Sequence, residues 1–262
     1  ESTIYVHGLP AMSYEAYVFM SQYLPALDKQ IVENGWNGRI ITSISDEPNE
    51  VNATEYRALC GLVRKLAPHL RLHDAVSYVP IHGALDIWVP LNSEYDRHRK
   101  EFESFRGKGD ELWHYTCCGP RYGGYVNRFI DYPLLSTRYL FWGNYKYDLS
   151  GFLHWGGNSY QPGQDPFTVS CPWHTNADSN GQLPAGDTHI VYPGDGEPWA
   201  SMRLEAHRLS VEDYELLRLL GQKDKAKADA ICEKCFRSFN DVEYDTTKFE
   251  AVRVELLKAL SE

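Results

Sequence analysis

Apolar positions fall at helical spacing over residues 13–34, where Tyr17, Met20, Tyr23, Leu24, Leu27 and Ile31 form one stripe. Ser13 stands where a cap belongs, with Glu15 in the first turn, and Glu33-Asn34-Gly35 supplies the stop. The period then changes. Residues 39–45 read as a strand ended by Asp46-Glu47-Pro48, and a second helix follows over 54–66 until Pro68. Further strands are predicted at 72–79, 85–89, 112–117 and 151–155, with helices fitting between them most clearly at 94–105 and 133–145. Strands alternating with helices predict parallel βαβ units, which a barrel and an open sheet satisfy equally.

Residues 156–198 break the alternation, being rich in Gly, Pro, Asn, Asp and Ser with little periodicity. Long segments of this kind in compact domains are usually functional or disordered. The embedded Trp173, His174, Tyr192 and nearby Trp199 favour an ordered loop flanking a site. Residues 201–220 read as a strand-like entry into a strong helix, and two amphipathic helical segments, 224–239 and 246–260, follow.

Composition narrows the function classes. The 262 residues carry 26 Lys+Arg against 36 Asp+Glu, a formal charge of −10, so no basic footprint for nucleic acid or anionic lipid exists at the level of the whole chain. No run approaches the ~20 apolar residues of a bilayer helix, so membrane spanning is not expected. The aromatic share of 13% is high enough to ask where the rings go: a core, or the flat platforms of a sugar site. Six cysteines are too sparse for a disulfide framework in a chain this long. Cys232 and Cys235 have metal-like spacing but lie in a helical stretch with no second pair, and read as a structural pair. His73, His174 and His189 show no metal-ligand spacing; neither a metal nor a cofactor is expected. The chain opens at Glu1 without a signal-peptide pattern.

The sharpest chemistry is Ser45-Asp46-Glu47-Pro48 at the end of the first clear strand. In α/β barrels the C-terminal strand ends face the active site, which makes acids there catalytic candidates. Alternate strand residues point to opposite faces, but Pro48 takes the chain out of regular pairing where both acids could turn toward a cleft. The other reading is that Asp46 and Glu47 merely cap the following helix. Spacing does not choose between them.

A wider set of residues comprises Gly35-Trp36, Ile44-Ser45-Asp46-Glu47-Pro48, Leu85-Asp86-Ile87-Trp88-Val89-Pro90, Leu112-Trp113-His114-Tyr115-Thr116-Cys117, Arg138-Tyr139-Leu140-Phe141-Trp142, Gly151-Phe152-Leu153-His154-Trp155, Tyr192-Pro193-Gly194, Ser201-Met202-Arg203-Leu204-Glu205 and Glu212-Asp213-Tyr214-Glu215. Together these residues resemble glycoside hydrolase family 123, the β-N-acetylgalactosaminidases. The likeness runs in order from about residue 13 to 220. It implies an α/β, (β/α)8 TIM-barrel-like catalytic domain that hydrolyses terminal β-linked N-acetylgalactosamine by substrate-assisted retention, in a periplasmic or extracellular setting. By the resemblance, Glu47 protonates the leaving oxygen and later activates water. Asp46 orients the acetamido N–H so that the substrate's own carbonyl oxygen attacks the anomeric carbon. Adjacent carboxylates suit this route, because ordinary retaining enzymes place their two carboxyl groups ~5–5.5 Å apart, across the sugar.

Other candidates follow from strand positions. Trp155 is a candidate platform beneath the pyranose, or a core tryptophan. Trp113 and Tyr115 share one strand face, and the Tyr115 hydroxyl could donate to the acetamido oxygen, unless it is a buried structural tyrosine. Trp88 is a candidate acetamide-methyl pocket, otherwise core. Asn158, with Asn127, Arg138 and His154, is a candidate for sugar hydroxyls. Arg138 is also placed to pair with a buried acid, and Arg203 and Glu205 to make salt bridges.

Five good strands and at most six, counting 4–7, stand against eight for a closed barrel. Residues 1–220 are therefore expected to be the C-terminal part of a glycosidase-like barrel, with 221–262 a helical extension packed on it. An N-terminal polypeptide would complete the barrel. Two other readings stay open: a glycosidase of different sugar specificity, and a non-catalytic glycan-binding protein on the same scaffold.

Overall fold

The computed structural model describes residues 3–77, 80–173 and 181–261; His174 and the end of the strand predicted at 72–79 lie outside them. The chain divides into two compact units, Glu1–Trp113 and His114–Glu262.

The first unit opens with β1 (Tyr5–Val6) and β2 (Leu9–Pro10), an antiparallel pair in a sheet of its own. The segment counted as a sixth strand is thus half of a separate hairpin. Helix α1 (Tyr14–Glu33) starts at Ser13, whose hydroxyl accepts from Ala16 N at 3.2 Å. Its buried face is Ala16, Met20, Leu24 and Ile31, whereas Tyr17 and Tyr23 are exposed. Next come β3 (Ile41–Thr42), α2 (Ala53–Leu66), β4 (Arg71–Val76) and β5 (Ile87–Pro90). The single helix predicted at 94–105 is two, α3 (Asn92–Arg97) and α4 (Arg99–Arg106), separated at His98, where φ is −116°. Strand β6 (Glu111–Tyr115) begins in this unit.

Strands β3 to β6 pair in parallel, with Ile41 opposite Arg71, Asp74 opposite Trp88, and Trp88 opposite Leu112. This register sorts the side chains. Asp74, Trp88 and Leu112 share the face covered by α2 and α4: Tyr56 of α2 bonds Asp74, and Phe105 of α4 lies 4.3 Å from Trp88 between ring centroids. Arg71, His73, Glu111 and Trp113 share the opposite face. There Arg71 Nη1 pairs with Glu111 Oε1 at 2.9 Å, and the His73 and Trp113 rings lie 6.1 Å apart.

In the second unit α5 (Leu134–Arg138) and α6 (Leu140–Tyr147) take the place of the one helix predicted at 133–145; β7 (Gly151–Leu153) follows. The sheet order is β3-β4-β5-β6-β7, an α/β fold with five parallel strands. At the end of the long loop β8 (Val191–Pro193) and β9 (Pro198–Ala200) form a hairpin. Helix α7 (Met202–Lys223), capped by Ser201 onto Leu204 N, is the spine of the unit, with α5, α6, α8 (Lys225–Cys235) and later α9 (Thr246–Ser261) packed on it.

Between the last two helices lies a hairpin the periodicity did not predict, β10 (Phe236–Ser238) and β11 (Asp241–Val242). Phe239, in the turn between the two strands, packs its ring 4.8 Å from His114 and 5.4 Å from Tyr147. Gly143 permits this approach, since a Cβ there would overlap the Phe239 ring. The interior of this unit is also polar: Asp213 accepts from Arg138 Nε (2.7 Å), Arg253 Nε (3.1 Å) and Trp142 Nε1 (3.2 Å). The acid expected for Arg138 is therefore Asp213. Cys232 and Cys235 are buried thiols on α8.

Candidate functional site

Asp46 and Glu47 sit in a bend just beyond β3, both exposed. Neither caps the next helix, because α2 begins at Ala53 with Asn52 in the cap position. Asn52 and Asn49 form their own turn, Asn52 Oδ1 accepting from Asn49 N at 2.9 Å and Asn49 Oδ1 from Val51 N at 2.9 Å. Glu47 has φ of 45°, a left-handed conformation that disfavours a side-chain-bearing residue by about 1 kcal/mol or more. Something must therefore hold the segment, and that is Asp74 of β4. Its carboxylate accepts from Ser43 Oγ, Ile44 N (3.0 Å), Ser45 N (3.2 Å) and Tyr56 Oη (2.5 Å). Asp74 is 1% exposed, and burial lifts its carboxyl above the ordinary value despite these donors. β3 is short for the same reason: after Thr42 the backbone turns its N–H groups to a side chain instead of a strand.

Asp74 was absent from the sequence-derived candidates. Its signal was an acid amid the apolar residues of a predicted strand, Leu72-His73-Asp74-Ala75-Val76. Such a group persists in a core only when its lone pairs are used.

Trp88 is 1% exposed, with its indole N–H donated to Asp110 Oδ2 at 2.9 Å and its ring on Phe105. It packs as core on the helix-covered face, opposite to that of Trp113. Trp113 is half-buried, and its Nε1 lies 3.4 Å from Glu111 Oε2.

The second unit holds the remaining candidates. Tyr115 is buried at the end of β6, and beyond it Thr116 N donates to Leu153 O at 3.3 Å. Trp155, 43% exposed, donates its indole N–H to Asp187 Oδ2 at 3.2 Å. A fully buried Asp187 thus fixes an exposed ring. His154 lies behind it. Its Nδ1 accepts from Arg128 Nη2 at 2.6 Å and Gly156 N at 3.1 Å, which assigns the ring proton to Nε2, 3.2 Å from Asp187 Oδ1 but out of line for a hydrogen bond. Burial lowers the imidazole to about 4, so His154 is neutral at pH 7. Arg128 also donates to Gly156 O and to Asp187 O (3.2 Å). Gly156 is required here, since a Cβ would lie 2.8 Å from Thr188 O.

Asn158 is exposed and bridges to His189. Asn127 is turned inward, its amide donating to Cys117 O (3.2 Å) and Gly119 O (3.0 Å). Arg203 makes no salt bridge among the described residues. Its guanidinium instead bonds the carbonyls of Arg128 (2.8 Å), Gly186 (2.7 Å) and His189 (2.5 Å). No group of three or more His, Cys, Asp and Glu among the described residues is arranged to hold a metal ion, and no described helix is long and apolar enough to cross a membrane.

The fold is a parallel α/β sheet with Asp46 and Glu47 in the bend that follows β3, and in α/β proteins the C-terminal strand ends are where chemistry is commonly carried. Comparison narrows the class. The family model for the glycoside hydrolase 123 catalytic domain matches residues 5–220, and the chain belongs to that family. Among solved structures it is similar to a family 123 glycoside hydrolase from Clostridium perfringens, described in terms of glycolipid glycan hydrolysis, with a TM-score of 0.62 at 15% identity. That alignment covers 95% of this chain and 44% of the other, so this chain spans less than half the length of the structure it matches. No curated protein sequence matches.

Proposed function

We propose that the chain is the catalytic part of a glycosidase that removes β-linked N-acetylgalactosamine from a glycan by substrate-assisted retention. Glu47 is the acid and then the base at the glycosidic oxygen, and Asp46 orients the acetamido group. The observation that carries the proposal is the Asp46-Glu47 bend, released from helix capping and braced on Asp74 inside the region matched by the family. Neighbouring carboxylates suit substrate assistance better than the pair ~5–5.5 Å apart across the sugar that an ordinary retaining enzyme uses.

Trp155, held by Asp187, is the proposed pyranose platform, with Asn158 beside it in sequence for hydroxyl recognition. Trp113 and Tyr115, alternate residues of β6, are the proposed acetamide contacts, and the packing of Trp88 favours its core role. β3 pairs with β4 alone among the described residues, which supports pairing with a further N-terminal polypeptide as part of the proposal. The test is Glu47→Gln assayed on an aryl β-N-acetylgalactosaminide. Hydrolysis should fall by at least ~10²-fold, the contribution of a positioned general acid, with an unchanged circular dichroism spectrum. Turnover near wild type overturns the assignment.

A further inference from the structure

Cys117 and Cys118 follow one residue, Thr116, after the C-terminal end of β6 at Tyr115. Their Sγ atoms lie 3.9 Å apart and both residues are half-buried. We propose that this vicinal pair is a two-thiol binding site for thiophilic ligands with two open valences, of which monosubstituted arsenic(III) is the type.

The site is braced on both sides. Asn127 holds the Cys117 and Gly119 carbonyls, Arg121 Nε holds the Cys118 carbonyl at 2.8 Å, and Gly119 N donates to Cys117 Sγ at 3.4 Å. The Cys118 thiol is lowered to about 7, first by its hydrogen bond with Cys117, so much of it is thiolate at neutral pH. The other cysteines differ. Cys60 and Cys232 are buried and pushed up to about 12, and Cys235 to about 11, by desolvation. Cys171 is half-buried and follows Ser170, whose Oγ lies 3.8 Å from its sulfur.

Among the described residues no third ligand joins the two thiols, and two alone do not meet the four-coordinate preference of a structural zinc site. A direct disulfide is also disfavoured, since consecutive Cα atoms stand ~3.8 Å apart against the ~4.4–6.8 Å that disulfides span. An arsenic atom between the sulfurs enlarges the ring and relieves this. The reaction balances without a redox partner: an organoarsenic(III) oxide forms two As–S bonds and loses its oxygen, which leaves with the two thiol protons as water. Arsenic stays trivalent.

The ligand would sit where the charge of Asp187, the support of Trp155, is felt at Cys118. Loss of glycoside hydrolysis on binding rests on the function proposed above; binding itself does not. The test is native mass spectrometry of the full chain with phenylarsine oxide. One adduct, of the arsenical's mass less one water, is expected on Cys117–Cys118 by fragmentation, reversed by 2,3-dimercaptopropanol and lost in both Cys117→Ser and Cys118→Ser. No adduct, an adduct mapped to Cys232 and Cys235, or an adduct that survives either substitution in a folded variant overturns the site. Should a variant fail to fold, the fragmentation map of the wild-type adduct decides. A mapped adduct on a fully active enzyme leaves the thiol site standing and overturns only its coupling to hydrolysis.

Discussion

Replacing Asp74 by alanine removes the acceptor of four hydrogen bonds and leaves Tyr56 Oη buried with no partner in that direction. A buried donor left unsatisfied costs about 1–3 kcal/mol. The two backbone donors, on half-buried Ile44 and Ser45, can be partly recovered by water, so the total expected loss is about 3–5 kcal/mol. Asparagine is a finer probe. Its carbonyl can face Ile44 N, Ser45 N and Tyr56 Oη while its amide donates to the Ser43 hydroxyl, so every bond survives in neutral form. Asp74→Asn should therefore lose no more than about 1 kcal/mol. The pH dependence has a fixed sign. Burial raises the Asp74 carboxyl above 3.8, so the folded chain holds this proton more tightly than the unfolded one. The associated stability is full below 3.8 and declines as pH rises through the folded value; Asp74→Asn should gain on wild type across that window. Urea denaturation from pH 3 to 7 measures both quantities, and the rate on an aryl glycoside reports whether the acid pair has moved. Equal damage from alanine and asparagine, or an unchanged midpoint in Asp74→Ala, refutes the bracing role.

Trp155→Ala should raise KM by roughly tenfold, about 1.4 kcal/mol of lost binding, with a smaller change in kcat. Asp187→Leu should do part of the same and shift tryptophan fluorescence by freeing the indole N–H; an unchanged KM in Trp155→Ala refutes the platform. In Gly143→Ala the new methyl meets Phe239, and overpacking should destabilise the chain by about 1–3 kcal/mol in thermal melts, a result that native-like stability would contradict.

The helix start at Ser13 was legible because a cap is a local device, one hydroxyl and one N–H a few residues on, whereas the strand-like entry expected at 201 is in fact the Ser201 cap of α7. The alternation that predicted parallel pairing was legible for the same reason. What escaped depended on partners distant in sequence. Ser43 to Ser45 looked like strand, yet the Ser43 hydroxyl and the Ile44 and Ser45 N–H groups are claimed by Asp74, about thirty residues later. The hairpin of β10 and β11 was hidden in an apparent helical period over 224–239, although Asn240 just beyond was a turn signal. Trp155 could be named from its place after a strand, but Asp187 lies in a loop without periodicity and only the fold brings it to the indole. Trp88 shows the converse. Its residue type suggested a sugar contact, whereas the register with Asp74 and Leu112 puts its ring on the helix-covered face.

The family match ends at residue 220, but Phe239, nineteen residues later, closes the interior around His114 and lends its carbonyl to Val126 N at 2.8 Å. Tyr139 in turn donates to Glu243 O at 2.6 Å, and Arg253 helps neutralise Asp213. The family match and the packed interior thus have different borders in this chain. A truncation drawn at the edge of homology would keep the catalytic candidates and open a hole lined by Tyr139, Trp142 and a half-compensated Asp213. The residues after 220 act as the plug of an interior that the matched region leaves open.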